Sequence, residues 1–380
     1  MLGRKKKTLA DRLAPNGQKK LLALDGGGIL GMTSIEYLAK IEEILRIESG
    51  RDDFVLADYF DYVAGTSTGA IIATCLSLGM PVAEVRKFYV DHGREMFDRD
   101  WLFRRPLRRY TDEGLQGMLK RVVGEDTTVG SEKLRTLLMV VLRNATTDSP
   151  WPLSNNPRAL FNDRSLPDCN LELPLWQVVR ASTAAPTYFP PEVVKVGPSE
   201  FIFVDGGVTV FNNPALQLFL MATLGAYKLG WNTGEDRMLL VSIGTGTAPD
   251  ANANLKPGEL NILYNATHIP SALMAAASAQ QDLLCRSLGR CRHGALLDLE
   301  LGDLIGQSGS GVVGSEKLFS YIRYNVDLTQ PGINKLGLSR IRAADVQKMD
   351  SVDHIADLAD IGHAAAARYV ETSHFGGFPA

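Results

Sequence analysis

The chain has 380 residues, 45% of them apolar and 22% charged, with a formal net charge of −3. That length buries a full core and that balance is ordinary for a soluble globular protein, while the charge gives no footprint for nucleic acid, which is not expected as a partner. Cys75, Cys169, Cys285 and Cys291 make neither a disulfide framework nor a zinc-site spacing, so neither metal nor cofactor is expected and a reducing cytoplasm is the expected setting.

Residues 1–19 open with Arg4, Lys5, Lys6 and Lys7 and add Arg12 and Lys19 against a single Asp11. No apolar stretch follows to make a secretory signal, so the segment is read as a solvated basic tail, with a weak electrostatic tether to anionic lipid as the sharper alternative. Nowhere does the chain approach the roughly 18 consecutive apolar residues of a membrane-spanning helix.

Lys20 to Leu24 reads as a buried strand that runs into Asp25-Gly26-Gly27-Gly28, followed by a helix with Ile35, Leu38, Ile41 and Leu45 at helical spacing. The glycines have two readings. Gly26, Gly28 and Gly31 fit the spacing of a dinucleotide-phosphate loop, but the acids about 20 residues on (Glu48, Asp52, Asp53) lie in a polar connection and not at a strand end. A row of backbone N–H groups at a helix N-terminus holds any anion, so Gly26, Gly27 and Gly28 also read as an oxyanion hole.

The next strand, Tyr62 to Ala64, supports the second reading because it ends in Gly65-Thr66-Ser67-Thr68-Gly69, followed by an apolar helix over Thr68 to Leu78. A Gly-x-Ser-x-Gly turn between strand and helix is a nucleophile elbow: Gly65 and Gly69 let backbone pass closely, and Ser67 is held at a helix N-terminus. Further along, Arg99, Arg104, Arg105, Arg108 and Arg109 interleave with Trp101, Phe103 and Tyr110. Arg104 and Arg105 are therefore phosphate or membrane contacts, or part of a solvated loop.

Strands are expected at Leu137–Leu142, Phe201–Val204 and Met238–Ile243, with helical patterns between them, which predicts an α/β three-layer sandwich around a largely parallel sheet. Asp205 follows the second of these strands and leads into Gly206 and Gly207. Burial there would lift its pKa toward that of a useful base, and a hydrogen bond from Ser67 would orient it; a structural Asp capping its own turn is the alternative. None of His92, His268, His293, His354, His363 and His374 falls at an evident strand end, although a Ser-His-Asp esterase using one of them stays open. Residues 245–315 read as a cap or flap within a catalytic domain over 20–370, and 371–380 as a C-terminal tail.

In this order, Asp-Gly-Gly-Gly, Gly-x-Ser-x-Gly and Asp-Gly-Gly resemble the patatin-like phospholipase family. So do the blocks Ala181 to Phe189, Asn212-Asn213-Pro214, Val241 to Gly246 and Tyr321 to Tyr324. The resemblance implies a calcium-independent lipid acyl hydrolase acting on membrane phospholipid or related esters, with Ser67 as nucleophile, Asp205 as its dyad partner and Gly26 to Gly28 as oxyanion donors. It also implies, from bacterial members, a possible cyclic oligonucleotide activator and a role in antiphage defence. Leu30 departs from the pattern, since the family usually has Arg or Lys there, so the cation must be supplied from elsewhere.

Overall fold

The computed structural model describes residues 7–97, 113–186, 188–248, 262–298, 300–302, 304–305 and 316–380, without the side chains of 113 and 262–270. Arg104 and Arg105, and the parts 249–261 and 306–315 of the expected cap, lie outside the described residues.

Among the described residues nine strands form one mixed sheet: β1 (Lys19–Leu24), β2 (Tyr62–Thr66), β3 (Leu137–Asn144), β4 (Ser149–Ser154), β5 (Glu192–Val196), β6 (Ser199–Asp205), β7 (Met238–Ile243), β8 (Arg290–His293) and β9 (Ser320–Tyr324). β3, β2, β1, β7, β9 and β8 lie side by side and parallel; β4, β5 and β6 form an antiparallel margin.

The central strands are short apolar runs because both faces are covered. Along β1, Leu22 and Leu24 enter one core with helices Gly31–Ser49, Thr68–Ser77, Val82–Phe97 and Ile355–Tyr369. Leu21 and Ala23 enter the other, with helix Ala215–Thr223. The period of two along a strand thus makes three layers from one sequence. β4 and β5, which lie at the margin and alternate with polar or half-exposed residues, carry too little apolar signal to be read as strands.

Among the described residues, 7–19 and 371–380 both pack against the domain. A short helix, Leu9–Leu13, is capped by Thr8, and Arg12 behind it is buried. Its guanidinium donates to the carbonyls of Phe60 at 2.5 Å and Ala57 at 2.6 Å and lies 3.3 Å from Asp61, which also takes Lys7 at 2.5 Å. Lys19 donates to the carbonyls of Asp11 and Arg12, both at 3.0 Å. A basic side chain can be buried when most of its donors find acceptors, as both terminal nitrogens of Arg12 do, which a count of charges does not reveal. At the other end Phe375 and Phe378 are buried, Tyr59 donates to the Phe378 carbonyl at 2.7 Å and Lys20 to that of Pro379 at 2.6 Å.

Within the expected cap the described residues include a 27-residue helix, Ile262–Leu288, and β8, which belongs to the sheet and so is not part of a cap. Among the described residues no helix is long and apolar enough to cross a membrane.

Candidate active site

β3 aligns the two halves of the site. β4 occupies one edge of β3 from Met139 to Asn144. On the other edge β2 pairs up to Thr66 opposite Val141, and there the chain turns away into the elbow. β6 takes over that edge at the next position, with Asp205 opposite Leu142. Ser67 and Asp205 are therefore delivered to adjacent positions by one strand.

The Ser67 hydroxyl donates to Asp205 Oδ2 at 2.6 Å. Asp205 Oδ1 accepts the Gly207 N–H, also at 2.6 Å, so the carboxylate caps its own turn and receives the serine at once. Gly206, beside it, lies against the Val141 carbonyl. Burial pushes the Asp205 carboxyl up to about 6; the bonds from Ser67 and Gly207 and the charge of Arg180 offset only part of that effect.

Ser67 has φ 54°, in the left-handed region that a residue with a Cβ seldom occupies. The strain is held by close backbone contacts: a Cβ on Gly65 would lie 2.1 Å from the Gly69 carbonyl oxygen, and one on Gly69 would lie 2.3 Å from that of Leu24. The Ser67 N–H donates to Ser182 Oγ at 3.0 Å, and Ser182 donates onward to the Val141 carbonyl at 2.6 Å. Two residues later the Ala184 carbonyl accepts the Asp205 N–H at 3.0 Å. The segment Ser182 to Ala184 thus braces both halves of the pair, a role that its sequence does not announce.

The glycine run lies beside the elbow. A correction applies to Gly26: its N–H donates to the Asn212 carbonyl at 3.1 Å and is not available to a ligand. Gly27 and Gly28 have no such acceptor among the described residues. Gly28 has φ 60°, and a Cβ there would meet the Met349 carbonyl oxygen at 2.3 Å, so glycine is needed on both counts.

Asp25, which begins the run, is held by Arg323 on β9 through two bonds, Nη1 to Oδ1 at 2.9 Å and Nη2 to Oδ2 at 2.6 Å. Arg323 Nη1 also donates to Ser242 Oγ at 2.7 Å. Burial opposes the Arg323 charge, but Asp25 outweighs it and the guanidinium stays protonated. With Leu30 buried, this arginine is the cation that supports the glycine loop.

The described histidines are engaged elsewhere. His354 meets Asp357, His92 packs on Phe88, His363 is largely exposed beside Glu36, and His293 stacks on His374, which bonds the Tyr324 hydroxyl. The side chain of His268 is not described. The Ser67 hydroxyl goes to a carboxylate directly.

This geometry agrees with a match of residues 22–219 to the patatin-like phospholipase family. The chain belongs to that family. Among curated patatin-like relatives, Patatin-2-Kuras 4 of Solanum tuberosum is 30% identical over 297 residues, 72% of this chain and 75% of that one. A cGAMP-activated phospholipase of Escherichia coli (strain TW11681) is 30% identical over 233 residues, 60% of this chain and 62% of that one. An 85/88 kDa calcium-independent phospholipase A2 of Rattus norvegicus is 31% identical over 245 residues, 60% of this chain. The chain thus spans less than two thirds of the E. coli relative and 27% of the rat one. Overlap with the crystal structure of VipD from Legionella pneumophila is loose, with a TM-score of 0.36 and 15% identity over 91% of this chain and 67% of that one.

Proposed function

We propose that the chain is a lipid acyl hydrolase that releases fatty acid from membrane phospholipid through a Ser67–Asp205 dyad. The observation that carries this reading is the 2.6 Å bond from the Ser67 hydroxyl to a buried carboxylate with no imidazole between them. As Ser67 Oγ attacks the ester carbonyl, its proton passes to Asp205, whose raised affinity for protons suits that task. The amides of Gly27 and Gly28, with that of Thr68 at the start of the elbow helix, hold the oxyanion. Asp205 returns the proton to the leaving alcohol, and water then releases the acyl group. No step calls for a metal, in keeping with the calcium independence in the rat relative's name. Substrate is reached by peripheral contact with a membrane.

The test is fatty-acid release from mixed phospholipid vesicles by wild type, Ser67→Ala and Asp205→Asn. Loss of release in both variants supports the dyad, and full release by either one overturns it.

A second reading, control by a cyclic oligonucleotide in an antiphage response, is favoured by the name of the E. coli relative. Repeating the assay with a cyclic-dinucleotide panel tests it. Release that depends on one nucleotide supports gating, whereas full release that no nucleotide changes removes it.

A further inference from the structure

The acyl-serine expected above must be opened by water, and neither Ser67 nor Asp205 alone fixes where that water sits. Asn212 occupies a telling place. Its backbone carbonyl accepts the Gly26 N–H at 3.1 Å, and one arm of its side-chain amide meets Ser278 Oγ of helix Ile262–Leu288 at 3.1 Å. The other arm, Oδ1, has no partner among the described residues although Asn212 is only 6% exposed. An unmet buried acceptor is costly, and a ligand or water at that place relieves the cost. Because a hydroxyl both donates and accepts, Ser278 satisfies either amide orientation, and one arm is left facing the dyad in both.

The direction of that arm is fixed by the glycines around it. A Cβ on Gly26 would lie 2.4 Å from Asn212 Oδ1 and 3.3 Å from Ser67 Cβ. A Cβ on Gly207 would lie 2.9 Å from Asn212 Oδ1, 3.0 Å from Asp205 Oδ1 and 2.9 Å from the Met274 methyl. The two oxygens are therefore within about 6 Å of each other, and a single water bridging them would make two ordinary hydrogen bonds. The Met274 methyl lies beside them on the helix side.

We infer that Asn212 Oδ1 and Asp205 together hold the water that deacylates Ser67, an inference that rests on the dyad reading. The water donates one hydrogen to Asn212 Oδ1, which aims its lone pair, and the other toward Asp205. As its oxygen bonds to the acyl carbon, that second proton passes to Asp205. The tetrahedral intermediate then collapses, the carbon–Oγ bond breaks, and Asp205 returns the proton to Ser67 Oγ. The hydrogen held by Asn212 leaves on the carboxylic acid. Asn212 is a positioning residue in this step: it acts through the water. Its backbone carbonyl serves the glycine loop whatever its side chain, so acylation is separable from deacylation.

Asn212→Leu, of similar volume and without the acceptor, tests the inference on p-nitrophenyl butyrate, a soluble ester. Fluorophosphonate labelling of Ser67 should keep its wild-type rate. Turnover should fall on the order of 10- to 100-fold, with KM falling in step with kcat. Acyl-Ser67 should accumulate in quenched samples read by intact mass, and added hydroxylamine, which does not need the held water, should restore release of p-nitrophenol. Turnover near wild type, or a loss with slowed labelling and no accumulated adduct, overturns the inference. Asn212→Ala repeats the test with a smaller side chain if the leucine variant does not fold. Full hydrolysis by Ser67→Ala would instead sink the dyad reading, so the two failures are distinguishable.

Discussion

Asp25 and Arg323 meet as a two-pronged fork although 298 positions separate them in the chain. Both are almost wholly buried, which makes the pair sensitive to the loss of either member. Breaking such a pair costs about 3–5 kcal/mol because it strands a charge, whereas replacing both members is far milder. Arg323→Met is therefore expected to lower stability by that amount at pH 8. Burial alone pushes the Asp25 carboxyl up, so without its partner the folded state prefers the protonated form. The loss should shrink as pH falls toward the ordinary carboxylate range, and Arg323→Met with Asp25→Asn should recover part of it. Urea unfolding at pH 5 and pH 8 reads all three outcomes.

Asp205 gives the same logic with a functional consequence. Its pKa is raised from 3.8 to about 6, so the folded state binds the proton more tightly than the unfolded chain. Stability is then lost as pH rises through that window and stays lost above it, by about 3 kcal/mol at roughly 1.4 kcal/mol per unit. Asp205→Asn should unfold at higher urea than wild type at pH 8, lose that advantage near pH 4, and be inactive throughout. Wild-type kcat/KM should rise with pH through about 6 as the base form appears.

Ser182→Ala removes the acceptor of the Ser67 N–H without touching either dyad oxygen. An unmet buried amide costs about 1–3 kcal/mol, and the elbow would lose the anchor that joins it to β3. Lower thermal stability and slower fluorophosphonate labelling of Ser67 are expected together. Unchanged labelling would show that the close glycine contacts hold the elbow without help.

Removal of residues 371–380 takes out two buried phenylalanines and the carbonyls that receive Tyr59 and Lys20. At about 1.5–3 kcal/mol for each buried side chain, the loss is on the order of 3–6 kcal/mol. The shortened chain should unfold at markedly lower urea, and Phe378→Ala alone should reproduce much of the effect.

What could be read in the sequence, and what could not, divides along physical lines. The strands that feed Gly26, Ser67 and Asp205 are apolar runs ending in glycine, so β1, β2, β6 and β7 were visible and chain order supplied the parallel core. β8 is four polar or basic residues, Arg290 to His293, and its pairing is set wholly by β9. The engagement of the Gly26 N–H is invisible in the sequence because its acceptor is a backbone carbonyl, and main-chain contacts leave no mark on residue identity. The burial of Arg12 is hidden for a related reason: two of its partners are carbonyls, at Ala57 and Phe60. Arg323 stood in plain view as part of Tyr321 to Tyr324, but only the fold brings it beneath Asp25.

The shared edge of β3 also governs when the protein becomes able to act during its own synthesis. Ser67 and Asp205 are 138 positions apart, and both the pairing of β2 and that of β6 against β3 are needed to make them neighbours. The cation that steadies the glycine loop is made later still, at position 323. On the proposed dyad, a ribosome-bound chain carrying the elbow alone has a serine without its base, beside a loop without its ion-pair support. The proposed site is therefore incomplete until most of the chain has emerged and folded.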